Sequence, residues 1–198
     1  MKKNKIKFSY ILLLILLLVT LTQNIIPLSY FAAVIIHELG HVWAAKLFKI
    51  KIKEFKLSFL GARINVAEKL YSYKHEFILC AFGPMFNYFS ALFIKILTIN
   101  NRLIWVDEFI ISSVILGTLN LLPINGFDGG RMLKCLLLSI VPQNIARYII
   151  NTVSFMIITL LWLISVYFLL IYSTSLGIFI FSSSLFFSIF LKKDVGIN

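Results

Sequence analysis

The sequence predicts an all-α polytopic membrane protein of about six transmembrane helices, with a small amphipathic β-hairpin between spans two and three. Three observations predict it. The 198-residue chain is 60% hydrophobic and only 14% charged, whereas a soluble domain carries closer to a quarter charged residues. Its apolar residues gather in runs close to the roughly 20 residues that a helix needs to cross the hydrocarbon core. The 19 Lys and Arg residues, within a net charge of +11, cluster between those runs. Such clustering marks membrane topology and anionic headgroups, and no basic face points to nucleic acid.

The runs follow in order. Span one, about Ile6–Gln23, comes after the basic "MKKNKIK", and no small-x-small cleavage site follows its "LLLVTLTQN". It therefore reads as a retained span and not as a removed leader. Span two covers Ile25–Phe48. After it, "IKIKEFKLSFLGARINV" alternates apolar and polar residues at Ile50 and Ile52, then Phe55, Leu57 and Phe59, and again at Ile64 and Val66. That alternation reads as two strands around a turn at Gly61. Span three, Phe77–Thr98, holds Pro84, which marks a kink. Span four, Phe109–Leu122, is short because "NLLPINGFDGG" interrupts it, and spans five and six cover Tyr148–Tyr172 and Leu176–Leu191. Basic residues precede span one and follow spans two, four and six, while "QN", "NNRLIWVDE" and "STS" are poor in them. This alternation places both termini and the basic loops in the cytoplasm. Cys80 and Cys135 both sit inside apolar segments, so neither a disulfide framework nor a CxxC zinc site is expected. Residues 1–198 read as a single domain.

Within span two, "VIIHELGHVWAAKLF" sets two histidines and a glutamate in an apolar run, where such residues are costly and usually functional. On a helix His37 and His41 project from one face, so both imidazoles can reach one metal ion. Glu38 stands beside them, placed to take a proton from a water at that metal. The plainer reading is a histidine pair satisfied by bundle neighbours. His41 lies about 12 Å of helical rise before Lys49, which sets the site below the cytoplasmic surface but short of the mid-plane.

Catalytic zinc commonly takes three protein ligands and leaves one position open. Of three aspartates, Asp107 falls in a connection on the far side and Asp194 in the C-terminal tail, which leaves Asp128. Pro123 and Gly126 break the helix before it, and broken backbone at membrane depth belongs where it lines a cavity or is buried in protein. The competing role for Asp128 is the N-cap of a helix starting near Gly129. His75 and Glu76 are weaker ligand candidates.

HELGH together with N-x-x-P-x-x-x-x-D-G, filled by Asn120, Pro123, Asp128 and Gly129, resembles the site-2 protease family of intramembrane zinc metalloproteases. "GPMFN", Gly83 to Asn87, is similar to a G-P-x-x-N element of that family. The resemblance runs from span two through Arg131. It implies one Zn2+ held by His37, His41 and Asp128, with Glu38 as general base and acid. It also implies Asn120 as a catalytic donor to the oxyanion, against which stands a plain helix-ending role. Asn87 reads better as a polar contact within the bundle. The wording "NLLPINGFDGGRML" further resembles the stage IV sporulation protein FB branch, whose members process a sigma-factor precursor during sporulation. No PDZ or CBS domain is expected.

The function expected is thus an intramembrane zinc endopeptidase. It would cut a membrane-associated protein substrate near the cytoplasmic face, in the lipid bilayer, under regulatory membrane proteins and with no nucleic-acid partner. An edge of the hairpin could receive the unwound substrate as an added strand, or the hairpin could simply lie on the headgroups. The alternative from another class is a membrane metal-ion carrier using the same ligands.

Overall fold

The computed structural model describes residues 26–49, 52–58, 61–66, 72–99, 103–172 and 176–194. The chain runs α1 (Ile26–Leu47), β1 (Ile52–Ser58), β2 (Gly61–Val66), α2 (Tyr73–Leu97), α3 (Ile104–Leu121), α4 (Asp128–Leu138), α5 (Gln143–Tyr172) and α6 (Leu176–Asp194). Span one, expected at Ile6–Gln23, lies outside the described residues. Two compact units divide the chain, Met1–Leu121 and Leu122–Asn198.

In the first unit α1, α2 and α3 pack on one another. Ala33, Phe109 and Leu116 form a buried cluster, with Ala32, Val34, Ile36, Ile94 and Ile110 against it. Small residues decide how near the helices come, as is usual where lipid provides no hydrophobic push. A Cβ on Gly40 of α1 would lie 2.5 Å from the Phe82 carbonyl oxygen of α2. The two backbones therefore touch at that point. Asn87, with 0% of its surface exposed, bridges all three helices. Its Nδ2 donates to Ala33 O of α1 at 3.5 Å and to Ser113 O of α3 at 3.2 Å. Asn87 is thus a polar contact within the bundle. Outside, Leu39, Trp43, Phe89, Leu92, Phe93 and Ile96 are exposed, which suits a lipid-facing surface. β1 and β2 pair antiparallel from Ile52↔Val66 to Ser58↔Gly61, with an irregularity between Ile52 and Glu54.

Helix α3 begins earlier than the hydropathy pattern indicated. The expected start was Phe109, but Val106 N and Asp107 N already donate to Leu103 O. This moves Asp107 from a connection into the first turn of α3, where its charge favours the helix N-terminus. Asp107 also stands 3.8 Å from Lys95 Nζ of α2, both side chains about half exposed. Such a pair stabilises by at most about 1 kcal/mol.

In the second unit, α4 is an amphipathic helix of 11 residues, too short to span. The α5–α6 pair is closed by short polar contacts: Ser165 Oγ lies 2.6 Å from Ser182 Oγ, and Trp162 Nε1 donates to Ser183 Oγ at 3.2 Å. Trp162 also stacks on Phe186. Ile124, from the segment before α4, joins Ile158 and Leu185 in a buried cluster. By length and composition 4 described helices can cross a membrane: α1, α2, α3 and α5. The count of six is not reached, because span one is outside the described residues and the apolar run of α6, Leu176–Phe187, is shorter.

The contact at Gly40 gives a first test. Gly40→Ala forces a methyl against main chain that cannot rotate away, an overpacking that costs about 1–3 kcal/mol. We expect a lowered thermal midpoint in detergent, read by the near-ultraviolet signal of the tryptophans.

Candidate metal centre

Helix α1 places Ser29, Ala33, His37 and His41 at successive turns of one face, all buried. The two imidazoles meet edge to face with centroids 4.8 Å apart. Their Nε2 atoms approach to 3.2 Å. His41 Nδ1 lies 2.8 Å from the carbonyl oxygen of Leu79 in α2. A carbonyl only accepts, so Nδ1 carries the proton and Nε2 of the neutral ring presents its lone pair. Fixing the far nitrogen of a ligating histidine in this way is the usual support for a metal site. Two nitrogens each bonded to zinc at tetrahedral angles stand about 3.3 Å apart. The observed separation therefore fits a shared cation.

The rings need a gap in α2, and Gly83 provides it. A Cβ there would fall 2.5 Å from both Cε1 and Nε2 of His41 and 2.8 Å from Cε1 of His37. The glycine of "GPMFN" is thus a floor for the imidazoles. Pro84 beside it is buried within α2 and does not end the helix. Glu38, next to His37 along α1, is buried too, at 7% exposure. His75 and Glu76 lie in the first turn of α2, where the His75 ring meets Phe48 edge to face.

Asp128 is the first residue of α4 and is buried. The N-cap position belongs to Phe127, whose side chain makes no capping hydrogen bond. The segment before it folds tightly. Ile124 N donates to Leu122 O at 2.7 Å and Phe127 N to Ile124 O at 3.0 Å. Gly126 has φ +114, a left-handed value that disfavours any side chain. A Cβ on Gly130 would collide with Ile124 O, so the segment lies directly across the start of α4. Asn120, near the end of α3, turns its Nδ2 back to Leu116 O at 3.1 Å. Cys80 and Cys135 are both buried and form no disulfide with each other.

Two features of this site escaped the sequence reading. The Leu79 carbonyl is main chain and carries no residue-type signal. Gly83 was visible as a motif letter, but its work as a spacer appears only once two helices are in contact.

Comparison with known proteins adds two findings. The description Peptidase family M50 matches residues 25–109, a stretch that holds His37, Glu38, His41, Gly83 and Asn87. Among solved structures, the chain is similar to "Site-2 Protease from Methanocaldococcus jannaschii". The identity is 21% and the TM-score 0.65, over 94% of this chain and 87% of that one. At that identity the likeness shows the fold. No curated protein matches the chain.

Gly83→Ala isolates the spacer. The added methyl would push the imidazoles apart, and we expect affinity for a divalent metal ion to fall by about 10- to 100-fold, measured by competition with a chromogenic chelator.

Proposed function

We propose that this chain is an intramembrane zinc endopeptidase of the site-2 protease type, hydrolysing a peptide bond of a membrane-associated protein near the cytoplasmic face. The observation that carries the reading is the donor set. His37 and His41 bring their Nε2 atoms to 3.2 Å on one buried face of α1, and Asp128, buried at the start of α4, is the carboxylate assigned as their third partner. Two imidazoles and a carboxylate are a common set for catalytic zinc, with a fourth position left for solvent or substrate. Zinc bound there would lower the pKa of water and polarise the scissile carbonyl.

The rest falls to the chain's own groups. Glu38, buried beside His37, takes a proton from the attacking water and delivers it to the leaving amine. Asn120 can supply a hydrogen bond to the developing oxyanion only by turning its amide away from Leu116 O. Burial of the histidines and of Glu38 excludes bulk water and strengthens each of these interactions. The apolar helices α1, α2, α3 and α5 support a bilayer setting. The basic loops support an orientation with both termini in the cytoplasm.

Finer points rest on sequence likeness. "NLLPINGFDGGRML" supports a sigma-factor precursor as substrate, in the manner of the sporulation branch, with partner membrane proteins setting the timing. The hairpin of β1 and β2 leaves strand edges to which an unwound substrate segment can add.

A metal carrier with the same ligands has no need for Glu38, whereas hydrolysis requires it. Glu38→Gln should retain zinc by elemental analysis of the purified protein while cleavage falls by about 100- to 10,000-fold. Cleavage is read as product mass after co-expression with candidate membrane-anchored precursors. Undiminished cleavage would remove the proposed base. Asp128→Ala should lose both zinc and cleavage, and stripping the wild type with a chelator should abolish cleavage until zinc is returned.

A further inference from the structure

We infer that Ser154, on α5, is a positioning residue of the proposed metal centre. Its hydroxyl grips the broken segment that carries Asp128 and so sets where that carboxylate stands. The inference rests on the reading of Asp128 as a metal ligand and adds a residue that the motifs do not contain.

The grip is built from three contacts. Ser154 Oγ accepts from Asn125 N at 2.8 Å and lies 3.4 Å from Pro123 O, to which it donates. One turn earlier, Asn151 Oδ1 accepts from Asn125 Nδ2 at 3.2 Å. One turn later on the same face, Ile158 receives Ile124 in the buried cluster with Leu185. Asn151, Ser154 and Ile158 therefore form one seat on α5 for Pro123, Ile124 and Asn125. Ser154 is 4% exposed, so the hydroxyl is held and does not sample solvent.

The need for it follows from the helix break. Pro123 has no N–H and ends the ladder of α3, which leaves the next amides without helical partners. Ile124 N and Phe127 N find carbonyls within the segment. Asn125 N has Ser154 Oγ. At membrane depth an amide without a protein partner is strongly disfavoured. Removing the hydroxyl would thus drive the segment to rearrange, and Asp128 is only three residues further on. With Gly126 in a left-handed turn and Gly130 pressed against Ile124 O, a shift at Asn125 passes directly to the start of α4.

The test uses the full chain in detergent, with zinc alone as the probe. Ser154→Ala should weaken zinc binding by about 10- to 100-fold, the range typical of groups that support a ligand from behind. Ser154→Thr and Ser154→Val have matched shapes and differ in the hydroxyl. Thr should bind zinc close to wild type and Val should lose affinity as Ala does. Amide exchange of the peptide spanning Leu121 to Arg131 should be faster in the Ala and Val variants than in the Thr variant. Wild-type affinity in Ser154→Ala, with or without a lower thermal midpoint, marks a merely structural serine and overturns the inference. If Ser154→Ala does not fold, equal affinities of the Thr and Val variants overturn it. A wild-type chain that takes up no zinc overturns the metal reading instead. The exchange comparison then still decides whether Ser154 holds the segment.

Discussion

The near contact of α1 and α2 is the constraint on which the histidine pair depends. Gly40 brings the α1 backbone against Phe82 O, and Gly83 lets the imidazoles lie against α2. Only at that distance can His41 Nδ1 reach the carbonyl of Leu79. Proton position, ring orientation and the 3.2 Å separation of the Nε2 atoms all follow from two missing side chains. Asn87, one turn beyond Gly83, fastens α2 to α1 through the carbonyl of Ala33 and to α3 through that of Ser113. Interhelical hydrogen bonds in membranes are worth only about 0.6 kcal/mol on average, so its contribution is to register more than to stability.

The second unit meets the opposite problem. Its chain must depart from helical geometry to bring Asp128 to the start of α4, and each departure exposes polar main chain. The response is local and complete for the amides at Ile124, Asn125 and Phe127: two are met by carbonyls within the segment and one by a serine on α5. Ile124 then anchors the segment to the apolar faces of α5 and α6.

The sequence carried different parts of this with different clarity. Histidines four apart on a helix must share a face, so the pairing of His37 and His41 was legible from spacing alone. Asn87 as a bundle contact was legible from its burial-prone position in an apolar span. Asp107 was misplaced because hydropathy sees an acidic residue as a loop signal, while a helix N-terminus welcomes it. The start of the short α4 was legible near Gly129, but its extent was not, because eleven amphipathic residues give too weak a membrane signal to classify. The N-cap role weighed for Asp128 fell to Phe127, a shift of one residue that no pattern resolves. Gly83 as a spacer, the Leu79 carbonyl and the grip of Ser154 were illegible for one shared reason. Each depends on which main-chain atoms face one another across elements, and residue type does not encode that.

One consequence follows from the acceptor for His41 being main chain. A carboxylate or amide in that place could be deleted by a single codon change, and the ring would then be released to its other tautomer. The Leu79 oxygen survives replacement of its side chain by any residue that keeps α2 helical. The chemical state of the nitrogen facing the site is therefore insulated from drift at position 79. Its vulnerability lies in the neighbours that hold the two backbones together, so an inactivating lesion here would look like a packing defect and not like the loss of a polar group.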